Sequence, residues 1–308
     1  MKINFKNSVL SFVLIAILKV YGQQDPLYTQ YFNNFQIINP AFAGSNDVFT
    51  ATINARNQWS GEPDSPETLS FSLHGPVGKK VGLGLLVIND RVHVLNETDV
   101  YVDFSYTVKA SDKASLAFGI NAGGSFLNVD LLELGIVNDP LFNENINQFN
   151  PNFGTGVFYY TEKFYAGLSA MNILNTSRYR SQDHLITKAS DATSYYMTTG
   201  YDYEINETFT LKPSIMIRAA SGSPISTDLS MRLLWNNKLE MGLSHRIDES
   251  ISGLFQLRLN NNFKLGYSYD YMLHNLNNYN NGSHEISLIF AFKKRAKGTI
   301  EKKTPFYW

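Results

Sequence analysis

The chain has 308 residues, 44% of them hydrophobic and 14% aromatic, a net charge of −1 and a mean hydropathy of −0.19. Near-neutral charge gives nucleic acid no electrostatic hold, so no nucleic-acid partner is expected. With no cysteine, disulfides, thiolate zinc sites, thiol nucleophiles and lipidation at an N-terminal cysteine are excluded.

Lys2 and Lys6 precede an apolar run from Val9 to Leu18, and Val20-Tyr21-Gly22 supplies a small-residue cleavage site. The run is too short to cross a bilayer as a helix. Residues 1–22 therefore read as a cleaved signal peptide, and the protein as exported. Residues 23–47 are polar and irregular, broken by Pro26, Asn39-Pro40 and Gly44. They read as an ordered lead-in segment or plug.

From Phe49 the chain changes character. Ile53 and Ala55, then Leu69, Phe71 and Leu73, alternate with polar neighbours. Lys80 to Ile88 follows, and Val100, Val102, Phe104 and Tyr106 alternate with Tyr101, Asp103 and Ser105. Leu116 to Phe126 is a glycine-rich segment of the same kind. The pattern recurs nine more times, ending with Phe263 to Tyr271 and Glu285 to Phe292. A period of two defines strands whose successive side chains face opposite ways. About fourteen such segments, many near ten residues, predict an all-β fold: a transmembrane antiparallel β-barrel over residues 48–292, embedded in the lipid bilayer of an outer membrane. A soluble β-sandwich tolerates the same alternation, but its strands are shorter and do not carry charge at mid-strand. Here Asp103, Asp202, Lys212, Arg218, Arg232 and Arg258 do, and they are assigned to the lumen. They suit ion selection in an open pore and structural ladders in a closed barrel equally well.

Short turns at Ser111-Asp112, Thr161 to Lys163, Asn206-Glu207, Asn236-Asn237 and Asn260 to Asn262 alternate with longer links at Asn128 to Asn150, Asn175 to Thr193, Ala220 to Thr227 and Met272 to Ser283. That asymmetry predicts short periplasmic turns, long outer loops and both termini in the periplasm. Asn89-Asp90 and Asn138-Asp139 read as loop tips. Phe158-Tyr159-Tyr160, Tyr195-Tyr196 and Tyr267-Tyr269-Tyr271 read as girdle aromatics, and His284-Glu285 as an interfacial pair. Gly82 and Gly84 sit in a strand with no helix after them, so they ease close packing and are not a phosphate loop.

No nucleophile elbow, metal-spaced histidine pair or other catalytic signature occurs. No catalytic residue, cofactor or metal is assigned, and the protein is not expected to be an enzyme. After Phe292 comes a basic tail, residues 293–308, ending in Pro305-Phe306-Tyr307-Trp308. It is either a solvated anchor or a periplasmic peptide whose aromatic end fills a pocket on a partner.

Several motifs resemble those of one family. They are Asp25-Pro26-Leu27-Tyr28-Thr29-Gln30-Tyr31, Asn39-Pro40-Ala41-Phe42-Ala43-Gly44, Arg56-Asn57-Gln58-Trp59, Gly82-Leu83-Gly84 and Asn152 to Tyr160. Together they are similar to the PorP/SprF family of type IX secretion membrane proteins of Bacteroidetes, over essentially the whole mature chain. The resemblance implies an outer-membrane barrel that works with periplasmic and outer-membrane secretion components. It also implies support for secretion or surface attachment of a large adhesin, in some members one used in gliding motility, through the cargo's C-terminal domain. On that reading the lead-in motif residues Asp25, Pro26, Tyr28, Gln30, Tyr31, Asn39, Pro40 and Gly44, with Arg56, Trp59 and the tail's Phe306, Tyr307 and Trp308, are candidates for partner contact. Long loops Asn128 to Asn150 and Asn175 to Thr193 would hold the cargo. A passive diffusion pore is the alternative function.

Overall fold

The computed structural model describes residues 28–136, 139, 142–174, 192–273 and 280–292. The expected signal peptide, Asp25, Pro26, Asn138, most of the 175–193 link and the whole tail with Phe306, Tyr307 and Trp308 lie outside the described residues.

Fourteen antiparallel strands close into a barrel. They are β1 (Thr50–Asn57), β2 (Glu67–Pro76), β3 (Val81–Val92), β4 (Leu95–Ser111), β5 (Ala114–Val129), β6 (Ile146–Tyr160) and β7 (Phe164–Met171), followed by β8 (Ser194–Tyr201, resuming at Tyr203–Glu204 beyond Asp202). The circuit continues through β9 (Phe209–Ala220), β10 (Ser226–Trp235), β11 (Leu239–Arg246), β12 (Ser250–Arg258), β13 (Phe263–Met272) and β14 (Ser283–Ala291). Each strand pairs with the next, and β14 returns onto β1 with Thr50 opposite Ala291 and Asn57 opposite His284. Closure leaves no edge, which is what lets strands stand in lipid with every backbone group paired. No described helix is long and apolar enough to cross a membrane; the strands do the crossing.

The alternation sorts the side chains. Ile53, Phe104, Leu168, Leu243 and Phe290 point outward and are exposed, while Thr52, Ser70, Asp103, Ser268 and Glu285 point inward and are buried. This is the reverse of a soluble protein, and a hydrocarbon surround is what makes it favourable. One rim carries the short turns, the start of β1 and the end of β14. The opposite rim carries most of the longer links.

Two loop expectations are corrected at that second rim. Asn89 and Asp90 are strand residues, because β3 and β4 run on to a tight turn at His93-Val94 with Val92 opposite Leu95. The Asn128 to Asn150 link shrinks likewise to 130–145, since Asn128 pairs with Asn147 and Ser125 with Asn150. The physical reason is shared. Past the apolar zone a strand no longer needs alternating hydrophobicity, and polar ladders such as Asn89 Nδ2 to Asn96 Oδ1 at 2.7 Å extend it into water.

The lead-in fills the lumen. It is built of three short 3-10 turns, Tyr31–Asn33, Phe35–Ile37 and Pro40–Phe42. Phe35, Phe42, Phe158 and Tyr165 form its core, with ring centroids 5.1 to 5.9 Å apart from Phe35 to its neighbours Phe158 and Tyr165. Phe158, Tyr160 and Tyr196, expected in a girdle, belong to this internal cluster; Tyr195, Tyr267 and Tyr271 do face outward. Phe35→Ala removes a fully buried ring and is expected to cost roughly 3–5 kcal/mol, measured as a lower denaturation midpoint of the folded barrel.

Candidate functional site: the sealed lumen

The plug is seated by two devices. The first is a buried charge cluster where its N-terminal end meets the β1–β14 seam. Arg56 on β1 reaches Asp270 on β13 at 2.7 Å and Glu285 on β14 at 3.0 Å. Glu285 also accepts from the backbone N–H groups of Thr29 at 2.9 Å and Gln30 at 3.1 Å, and from Asn54 Nδ2 at 2.9 Å. The Thr29 hydroxyl donates to Asp270 at 2.8 Å, and Ser287 Oγ donates to Gln30 Oε1 at 2.8 Å. Charges so deeply buried are tolerable only when paired and hydrogen-bonded, and here the plug backbone supplies part of the pairing. Glu285, expected at an interface, is fully buried in the lumen; only His284 faces out, against the Tyr267 hydroxyl at 2.8 Å.

The second device is a glycine-lined seat for the Asn39 to Gly44 motif. Asn39 caps its short turn by accepting from the Ala41 N–H, and its Nδ2 donates to the Val157 carbonyl on β6 at 3.1 Å. A Cβ on Gly156 would run into Asn39, one on Gly119 into the Ala41 backbone, and one on Gly82 into the Ala43 carbonyl. Ser105 Oγ donates to that same carbonyl, and Ser169 Oγ to the Ile38 carbonyl. Gly44 takes φ +73° with its Cα side against Gly82, a conformation and a closeness only glycine allows. The close packing expected at Gly82 and Gly84 is against the plug (Ala43 and Gln36) as well as against Ser105 and Asp103 of the neighbouring strand β4. Gly82→Val is expected to push residues 43–44 off the wall, costing about 1–3 kcal/mol and making the lead-in more susceptible to limited proteolysis.

These contacts define where the sequence-derived candidates sit. Tyr28, Gln30, Tyr31, Asn39, Pro40 and Arg56 are buried in the lumen, and Gly44 is half-buried there, so their visible contacts are with the barrel wall. Trp59 is 36% exposed at the long-link rim, its backbone N–H on Ser283 Oγ at 3.2 Å. Tyr28 and Thr29 lie one ladder step from that rim, beside Arg56, whereas Asn46 bonds Thr50 at the other end. The lead-in therefore crosses the barrel from rim to rim, and the two ends of the described chain, Tyr28 and Phe292, lie toward opposite openings.

All six lumen candidates are on the inward face. Asp103 lies beside Gln36 of the plug, and Arg218 is buried on β9. Lys212 pairs with Asp202 at 3.3 Å, and Arg232 with Glu240 at 2.7 Å. The Arg232 guanidinium also sits over the Phe32 ring at 3.7 Å. Between the plug and the short-turn rim Asp202, Lys212, Arg232, Glu240 and Arg258 line a vestibule of about 320 Å³. Asp270 and Glu285 were missed as site residues because a carboxylate in an alternating strand is indistinguishable in sequence from any other lumen residue. Their signal was indirect: Arg56 in a strand must find buried counter-charges. Among the described residues no three His, Cys, Asp or Glu side chains are grouped to hold a metal ion.

A closed, lipid-faced cylinder of fourteen strands, here with residues 28–46 packed in its lumen, is an outer-membrane β-barrel. The chain belongs to the family described as "Type IX secretion system membrane protein PorP/SprF", whose sequence profile matches residues 20–290. Among solved structures it is similar to the toluene transporter TbuX of Ralstonia pickettii, at 9% identity and TM-score 0.50, over 84% of this chain and 93% of that one. It is similar also to the CymD monoaromatic hydrocarbon channel, at 11% identity and TM-score 0.50, over 86% and 94%. At such identities the likeness is one of fold alone. No curated protein matches the chain.

Proposed function

We propose that this barrel is a non-enzymatic adaptor of type IX secretion that supports the export or surface anchoring of a large adhesin, one serving gliding motility among the candidates, through the cargo's C-terminal domain. The observation that carries the reading over a diffusion pore is the plug. A lumen crossed by residues 28–46 and tied to the wall by the Arg56, Asp270 and Glu285 cluster is suited to holding partners at its two faces. On this reading the short turns and the exit at Phe292 face the periplasm and the secretion machinery, after removal of a signal peptide. The wall formed by β3 to β6, which projects beyond the other strands, faces the cargo with its 130–145 link. The chain's tail, with Phe306, Tyr307 and Trp308, is a candidate contact on the periplasmic side.

Affinity purification of the tagged protein from cells tests this. Recovery of an adhesin together with secretion components is expected, and removal of residues 130–145 is expected to abolish recovery of the cargo while the barrel still assembles. Cargo recovered unchanged by the shortened variant would rule out that loop as its contact. Purification of the barrel alone under gentle detergent would favour the pore.

A further inference from the structure

The short-turn vestibule is lined mostly by polar and charged side chains. We infer that it takes an acidic, extended segment of a partner protein, held by carboxylate contacts. The walls carry six cations, Lys163, Lys212, Arg232, Lys238, Arg258 and Lys264, against four carboxylates, Glu162, Asp202, Glu204 and Glu240. Internal pairs consume much of the negative charge: Lys163 with Glu204 at 3.0 Å, Lys212 with Asp202 at 3.3 Å and with Glu240 at 3.8 Å, and Arg232 with Glu240 at 2.7 Å. The lining keeps a surplus of positive charge.

Size limits the occupant. A volume of about 320 Å³ is at the low end of ligand sites, roughly 300–1,000 Å³. It admits a few side chains of an extended strand and excludes a folded domain. The Asn206, Asn237 and Asn260 turns that frame it are short and polar, so a chain can enter from solution without clearing a lid.

The charge distribution of the whole barrel supports the same polarity independently. Among the described residues, the half toward the long links holds fifteen Asp and Glu against only Arg56, Arg91, Arg218 and Arg246. The half toward the short turns holds ten Lys and Arg against seven Asp and Glu, with Asp103 at the middle of its strand between the two. Such an axis repels an acidic peptide from one mouth and draws it to the other. Inside the vestibule Arg232 touches both worlds, since its guanidinium pairs with Glu240 and covers Phe32 of the plug at 3.7 Å. A carboxylate that competes for Arg232 therefore acts on a group in direct contact with the plug.

The inference uses the proposed secretion role only to place the partner in the periplasm; binding itself is independent of it. The test is fluorescence anisotropy of labelled hexaglutamate with the full-length protein in detergent. Saturable binding at one peptide per barrel is expected, weakened by salt, with hexalysine not binding. Lys238→Gln with Lys264→Gln, both on the accessible side of the cavity, is expected to reduce affinity about tenfold, with heat-modifiable migration confirming that the variant is folded. No saturable binding, equal binding of hexalysine, or unchanged affinity in the folded double variant would overturn the site. Displacement of the peptide by equimolar succinate would overturn the peptide assignment in favour of a small carboxylate. Failure of hexaglutamate to bind leaves the adhesin pull-down unaffected, so the two readings fail separately.

Discussion

Deletion of residues 28–46 is expected to turn an electrically quiet protein into a conducting one. In planar bilayers the intact barrel should pass little current, and the deleted form should show discrete open steps. The expectation follows from what crosses the lumen. Tyr31, Phe35 and Phe42 pack as one cluster against Phe158 and Tyr165 on the far wall, and the backbone at residues 41–44 lies directly on Gly119 and Gly82. A fourteen-strand cylinder without that filling approaches the size class in which lumens carry water. The wall's own ladders remain, and Arg56 keeps both carboxylates, so the shortened protein should still show heat-modifiable migration. Porin-like conductance in the intact protein would dispose of the sealed lumen, and with it the main ground for preferring an adaptor to a pore.

Arg56→Met should be the most damaging single substitution in the barrel. It leaves Asp270 and Glu285 side by side, both buried, with no cation between them. Breaking a buried ion pair by removing one partner costs roughly 3–5 kcal/mol. The loss is read as a fall in the guanidinium midpoint of the refolded protein. Glu285→Gln should cost less: its one amide oxygen can accept from only one of the Thr29 and Gln30 N–H groups, which donate to different carboxylate oxygens, but Arg56 stays paired with Asp270 and no buried charge is left without a counter-charge. The two carboxylates lie on different strands and Arg56 on a third, so damage is expected at the β1–β14 seam first. If Arg56→Met matched the wild-type midpoint, the cluster would have no part in holding the seam. As an internal comparison, Lys163→Gln breaks a pair that is roughly half exposed on each side and should leave the midpoint where it was.

The scattered motifs acquire a common meaning in three dimensions. Thr29 and Arg56 belong to separate motifs in the chain, yet their side chains meet at 3.3 Å on the same carboxylates. Asn39 to Gly44 and the pair Gly82 and Gly156 are likewise distant in sequence and in contact in the lumen. The family pattern is therefore largely the pattern of a plug and its seat. That also explains why these residues suggested partner contact when read alone: a polar, proline-broken segment outside the strands has no other visible employment.

Alternation by itself determined that this chain forms strands, that fourteen of them close in lipid, and which face of each is wet; Phe104 next to Asp103 suffices to orient β4, because hydrocarbon accepts one and not the other. Proline and glycine breaks determined that residues 23–47 stay outside the strand pattern. What lies in the lumen was decided only by the tertiary structure. Period two says that Asp270, Glu285 and Arg56 point inward but not that they converge, since convergence depends on the closing register, in which Arg56 faces Glu285. Strand length beyond the membrane was equally hidden, because in water polar residues continue a ladder as readily as they form a loop. The plug's path from one rim to the other rests on backbone meeting glycine, a fit between surfaces that leaves almost no trace in either segment taken alone.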